Sequence, residues 1–164
     1  MIAHGRNEMM QSGYYQSPIG WIKMTADGNW LSSIGFVDTL PEFHFHDENP
    51  VISDAMAQLD SYFNNPRHEF QLPLAPPATE FQALARGEML NISTGQIKSY
   101  QEIANSLHRP GASRAVGRAA ATNPFLIVVP CHRVVGSGGK LTGYAGGIGR
   151  KKWLLEHEAI FSLK

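Results

Sequence analysis

The sequence predicts an α/β chain of the α+β kind, built as two units. A small β-meander with one helix spans residues 1–78, and a mostly helical unit spans residues 79–164. Three observations carry this reading. β-Prone runs bounded by turn residues crowd the N-terminal region, whereas capped helical patterns follow residue 79. A proline-rich stretch, Gln71-Leu72-Pro73-Leu74-Ala75-Pro76-Pro77-Ala78, separates the two. The formal charge changes sign beside it: residues 1–78 hold 3 Lys+Arg against 9 Asp+Glu, and residues 79–164 hold 11 against 5.

In chain order, Tyr14–Ser17 and Trp21–Thr25 read as strands around the turn Ser17-Pro18-Ile19-Gly20, and Asp27-Gly28-Asn29 leads into a strand from Trp30 to Val37. Asn49 followed by Pro50 marks a helix start, and Ile52, Ala55, Met56, Leu59, Tyr62 and Phe63 recur at helical spacing until Asn64-Asn65-Pro66. Thr79-Glu80-Phe81-Gln82 and Ser99-Tyr100-Gln101-Glu102 have the form of capping boxes, the second opening a helix through Leu107. Pro110-Gly111 is a turn. Ser113 is expected to cap a helix from Arg114 to about Thr122, stopped by Asn123-Pro124. Two short helices joined by a tight turn resemble a helix-turn-helix. A short strand around Leu141 and a last helix from about Gly149 to Phe161 complete the reading.

Composition narrows the function classes. The chain has 164 residues, is 43% hydrophobic and holds one cysteine, so it forms no internal disulfide and points to a reducing, cytoplasmic setting. No stretch approaches the roughly 18 apolar residues of a membrane span, and the first residues lack the apolar run of a signal peptide. Zero net charge conceals the split noted above. The basic half can attract phosphates, or the two halves can complement each other internally, and charge alone does not choose.

The chemistry gathers around Pro130-Cys131-His132-Arg133-Val134-Val135. A thiolate is the reactive form of cysteine, and a free thiol with a pKa of about 8.5 needs an activator. His132 is adjacent, yet neighbours on an extended segment point apart, so an imidazole would need a bend or a bridging water, and a carboxylate to orient it. Glu156 and Glu158 on the last helix are the available carboxylates. The plainer alternative is a small apolar cysteine buried at the end of a strand. The helix after Ser113 carries four alanines and a glycine, with Arg114 and Arg118 on one side; such a thin helix suits a nucleic-acid groove, or a tightly packed core. Arg150-Lys151-Lys152 opposes the dipole of the last helix, a mismatch that a phosphate, internal ion pairs or plain solvation would relieve. His44-Phe45-His46 lacks a third metal ligand nearby, and the Gly-rich segments 136–139 and 143–147 lack the Lys-Ser/Thr ending of a P-loop.

These residues resemble a known family. PCHRVV, with GKLTGYAGG and KKWLLEHE downstream and GQIKSYQEIA and SRAVGRAAATNP upstream, is similar to the O6-alkylguanine-DNA alkyltransferases (methylated-DNA–protein-cysteine methyltransferases) over residues 79–160, and YYQSPIGWI resembles their N-terminal domain. The resemblance implies a ribonuclease-H-like first domain and a winged-helix-like second one. It implies irreversible, single-turnover repair of O6-alkylguanine, and of O4-alkylthymine, in double-stranded DNA by base flipping, with no cofactor. Cys131 would be the alkyl acceptor, His132 its base through a water, and Glu158 the residue orienting His132. Tyr100 would assist extrusion and donate a proton, and Asn123 would be a hinge. Arg114 would fill the space left by the flipped base, with Ala115 and Gly117 beside it on the DNA-facing helix. Tyr144 would line the pocket, and backbone around Cys131, Val134 and Ala145 would read the guanine edge. A monomer is implied, with cooperative binding on DNA left open. The structural zinc of some relatives would need cysteines this chain lacks.

The chain departs from the family at Ala85-Arg86-Gly87, where a Val-Trp pair is usual, at Ile92-Ser93 and at Tyr100-Gln101. Other readings stand beside the resemblance: a module that binds alkylated DNA without transfer, a helix-turn-helix regulator, and a thiol hydrolase.

Overall fold

The computed structural model describes residues 10–42 and 47–162. Backbone contacts divide the chain into two compact units, Met1–Ala75 and Pro76–Lys164.

In the first unit, β1 (Met10–Ser17), β2 (Gly20–Asp27) and β3 (Trp30–Val37) form an antiparallel meander in sequence order. β1 begins four residues ahead of the apolar signal, because Met10 to Gly13 pair with Asp27 to Met24 although their side chains show no apolar alternation. Both hairpin turns place glycine at positive φ, Gly20 at 122° and Gly28 at 62°, which few other residues adopt. One face of the sheet buries Ile22, Met24, Ala26, Leu31 and Ile34. α1 (Pro50–Asn64) packs across the sheet and buries Ile52, Ala55, Leu59, Tyr62 and Phe63. Asn49 caps it, its side chain accepting from Val51 N at 2.8 Å while its amide donates to Gln11 Oε1 at 2.8 Å. The first part of the proline-rich stretch is not free. Leu31 donates to Pro73 O and accepts from Ala75 N, both at 2.8 Å, so the chain runs along β3 before leaving the sheet.

The second unit contains α2 (Glu80–Leu90), β4 (Lys98–Ser99), α3 (Tyr100–Ser106), α4 (Ser113–Ala121), β5 (Val134–Val135) and α5 (Ile148–Ser162). Thr79 Oγ1 accepts from Gln82 N. The Ser99–Glu102 box is complete, with Ser99 Oγ accepting from Glu102 N and Glu102 Oε1 accepting from Ser99 N, both at 3.0 Å. α3 and α4 pack together as the helix-turn-helix pair. The expected Ser113 cap does not form: Ala112 is the N-cap and makes no side-chain hydrogen bond, so Ser113 is already helical. No strand forms around Leu141. The segment instead turns through Ser137–Gly139, where Gly138 and Gly139 both have positive φ, and the short strand of this unit is β5, parallel to β4. The departure at Ala85-Arg86-Gly87 has a packing counterpart: Ala85 is buried, and the Arg86 guanidinium lies 5.1 Å over the Phe125 ring. A Cβ at Gly87 would meet nothing.

Candidate active site

The segment between α4 and Cys131 is a series of tight turns, not a strand. Its apolar residues Phe125 to Val129 are nearly fully buried, so the run of hydrophobic side chains records a core position rather than a β-ladder. Asn123 organises it. Its amide donates to Phe125 O at 3.2 Å and Val129 O at 2.9 Å, and its carbonyl accepts from Phe125 N at 3.0 Å. Cys131, His132 and Arg133 then form one 3-10 turn. That turn removes the geometric objection of an extended segment, because successive side chains of a 3-10 turn fan around one axis.

All three side chains are buried. His132 Nε2 lies 2.7 Å from Glu158 Oε2. Arg133 grips the same carboxylate with two bonds, Nε to Oε1 at 2.7 Å and a terminal nitrogen to Oε2 at 3.0 Å, and its other terminal nitrogen donates to Ile92 O at 2.6 Å. The structure thus selects Glu158, which is fully buried, over the exposed Glu156. Burial works to raise the Glu158 carboxyl, but His132 and the Arg133 fork overcome it and hold it well below the usual carboxylate range. Burial pushes the His132 imidazole down; Glu158 pulls it up, while the Arg133 and Lys151 charges reinforce burial. A neutral ring follows, donating from Nε2 to Glu158 and leaving Nδ1 as an acceptor. Nδ1 and the Tyr144 hydroxyl are the two buried side-chain polar atoms, among the described residues, with no hydrogen-bond partner. The two rings stand perpendicular, with centroids 6.5 Å apart.

Lys151 was not singled out as a site residue in the sequence. A cation in the first turn of α5 reads as solvated, phosphate-bound or held in an internal ion pair, yet Lys151 is fully buried and donates instead to two backbone carbonyls, Val134 O at 2.6 Å and Thr142 O at 2.8 Å. Those carbonyls outweigh the unfavourable helix dipole. Burial pushes the Cys131 thiol up, while the Asn123 side chain and the Lys151 charge pull it down. Arg133 was missed as well; its only signal was its place in the PCHR string. Replacing Lys151 with methionine is expected to move the pH midpoint of Cys131 labelling upward and to slow labelling at neutral pH, because the nearby cation that favours the thiolate is gone. The pH profile of thiol alkylation checks this.

The other sequence-derived candidates sit around this centre. Tyr100 opens α3, half-buried, with its hydroxyl donating to Thr142 O at 3.2 Å and sharing a hydrogen bond with Thr142 Oγ1 at 3.3 Å. Tyr100, Arg114, Gly117 and Thr142 line a cleft of about 330 Å³. On α4, Val116 and Ala120 are buried, Arg114 and Arg118 are exposed, and Ala115 and Gly117 are half-buried. The Val134 carbonyl is engaged by Lys151. Ala145 is exposed beside the buried Tyr144. His44 and His46 lie outside the described residues. No group of three potential metal ligands occurs among the described residues, and none of their helices is long and apolar enough to cross a membrane.

Fold and site together define a class: a cysteine-centred protein whose reactive segment is built into a helix-turn-helix unit. Comparison with known proteins makes the class specific. Residues 80–160 match the DNA-binding domain of 6-O-methylguanine DNA methyltransferase, and residues 10–76 match its ribonuclease-like domain. The chain belongs to the 6-O-methylguanine DNA methyltransferase family. It is 42% identical over 153 residues to the methylated-DNA–protein-cysteine methyltransferase of Mycobacterium leprae, an alignment covering 90% of this chain and 93% of that protein. The crystal structure of Mycobacterium tuberculosis O6-methylguanine methyltransferase superposes with a TM-score of 0.81 at 40% identity, covering 93% of this chain and 94% of the other. The structure of Mycobacterium tuberculosis OGT in complex with DNA gives 0.81 at 40% identity, covering 92% and 93%.

Proposed function

We propose that this protein repairs O6-alkylguanine, and by the same chemistry O4-alkylthymine, in double-stranded DNA by moving the alkyl group irreversibly to Cys131. The observation that supports it best is the buried turn in which Cys131 is followed by His132 and Arg133, both bonded to Glu158. A neutral His132 with an acceptor at Nδ1 is suited to take the thiol proton through a bridging water, with Glu158 stabilising the imidazolium that forms. The thiolate then attacks the alkyl carbon, the C–O6 bond breaks, and its electron pair leaves with the guanine, which takes a proton donated by the Tyr100 phenol. The product is a thioether, which no group in the site cleaves. One molecule therefore acts once, without a cofactor.

The target atom lies inside the base stack, so the nucleotide must rotate out, at a cost of a few kcal/mol. The thin helix α4 is suited to the minor groove, with Ala115 and Gly117 allowing close approach and Arg114 filling the place of the extruded base. Tyr144 lines the pocket, Asn123 is the hinge between α4 and the reactive turn, and backbone around Val134 and Ala145 meets the base edge. We assign the protein to the cytoplasm as a monomer.

Intact-mass measurement after mixing with a duplex carrying O6-methylguanine tests the reading. The expected result is a gain of one methyl group on Cys131 and no second turnover in excess DNA. Binding without a mass gain would leave an alkylated-DNA-binding module, and sequence-selective binding indifferent to the lesion would leave a regulator.

A further inference from the structure

Two described residues other than glycine have positive φ, His108 at 58° and Ile127 at 73°. His108 is exposed and directly follows the C-cap of α3, where a left-handed residue is common. Ile127 has no such setting. It is β-branched, 2% exposed, and lies in the turn before the reactive cysteine. Val128 N donates to Leu126 O at 2.8 Å across it, closing a three-residue turn in its rare positive-φ form. A glycine would adopt this conformation without strain. The chain instead carries a residue poorly suited to it, and the surroundings must hold it there.

The surroundings that do so lead to Cys131. The Asn123 amide bonds both Phe125 O and Val129 O, the carbonyls on either side of the Ile127 turn. Val129 N also returns to Phe125 O at 2.9 Å. Val129 O accepts a second hydrogen bond, from Cys131 N at 2.7 Å, across Pro130 at φ −79°, ψ 63°. Pro130 has its φ locked by its ring. From Leu126 to Cys131 the backbone is thus two linked three-residue turns pinned at Val129, with no free joint between them. Relaxation at Ile127 passes through Val129 to the Cys131 amide.

We propose that Ile127 is a positioning residue for the transfer proposed above: its buried side chain anchors the left-handed turn that aims the Cys131 thiol. This rests on the alkyl-transfer reading for the reaction it serves, and on the turn geometry alone for its effect on the thiol.

The test compares I127G, I127A and I127V in the full chain. Glycine and alanine both lose the anchor, but only glycine relieves the positive φ, so I127G is expected to be at least as stable to urea as I127A. In single-turnover assays with O6-methylguanine duplex, on protein shown to be folded, both are expected to lose tenfold or more in the saturating transfer rate. The half-saturating DNA concentration should stay within twofold of wild type, and I127V should stay within threefold in rate. Any other pattern overturns the proposal, in particular a rate that follows stability across the three variants. Wild-type protein that transfers no methyl group would refute the alkyl-transfer reading instead. In that case iodoacetamide labelling of the single cysteine against pH decides the matter alone. A tenfold change in labelling rate for I127G supports the positioning role, and an unchanged profile overturns it.

Discussion

Replacing Cys131 with serine is expected to abolish methyl transfer, by at least about three orders of magnitude, while leaving affinity for a methylated duplex within a few-fold. An alcohol is a far weaker nucleophile than a thiol near neutral pH, because its anion is not populated. The fold tolerates the exchange, since serine is smaller than cysteine and a hydroxyl beside Asn123 and Lys151 has polar neighbours. Arg114, Gly117 and Tyr100, the residues proposed above to meet DNA, line a cleft that does not include Cys131, so binding and chemistry are expected to separate. Intact mass reads the transfer and fluorescence anisotropy reads the binding. Methyl label appearing on another residue of the serine variant would contradict the assignment of Cys131.

Replacing Glu158 with glutamine is expected to damage stability and rate together. Glu158 is fully buried and accepts three short hydrogen bonds, one from His132 and two from Arg133. Glutamine keeps one acceptor oxygen and turns the other position into a donor that faces donors. Arg133 is left as a buried cation with its partner neutralised, and breaking such a pair costs about 3–5 kcal/mol. That is a large share of the roughly 5–15 kcal/mol that holds a domain folded. Transfer should slow about 10²- to 10⁴-fold if His132 acts as the general base proposed above, since it loses the anion that fixes its tautomer and stabilises its charged form. Urea midpoints and single-turnover rates separate the two losses.

The same pair is expected to contribute to the loss of stability in acid. The Glu158 carboxyl titrates lower in the folded state than in the unfolded one. Its stabilisation is therefore fully present above the unfolded carboxylate value of about 4.3, and is lost as pH falls from there toward the folded value. The lowered His132 acts with the same sign in a higher window, because the unfolded imidazole takes up a proton near pH 6.5 that the buried ring resists. Wild-type urea midpoints should decline from about pH 6.5 downward, and the decline below about pH 4.3 should be shallower in the Glu158→Gln variant.

The parts of the fold that could be read early are those whose physics is local. Asn49 before Pro50, and Ser99 with Glu102, cap their helices through bonds that span at most three residues, so the signal lies within one short window. The two hairpins are similarly announced by Gly20 and Gly28. Readings failed where the partner is distant. β4 and β5 are two residues each and exist because Lys98 and Ser99 meet Val134 and Val135; neither is long enough for a periodicity. Leu141 looked like a strand because it follows a glycine turn, but no ladder reaches it. The alternative that puts Cys131 at the end of a strand fails for the same reason: Phe125 to Val129 are uniformly apolar, and burial inside a turn imposes the same composition as a ladder.

By itself the sequence determined which groups are available and how they are locally arranged: one thiol, an imidazole beside it, capped helices, a thin arginine-bearing helix, and a division near the proline-rich stretch. Tertiary structure alone decided how those groups behave. It chose Glu158 over Glu156 by burying one and exposing the other, turned Lys151 from an apparent surface charge into a buried donor to Val134 and Thr142, and held Ile127 left-handed. The reason is that ionisation, desolvation and backbone strain depend on which atoms surround a group in space, and residues 26 or 17 positions apart become neighbours only when the chain has folded.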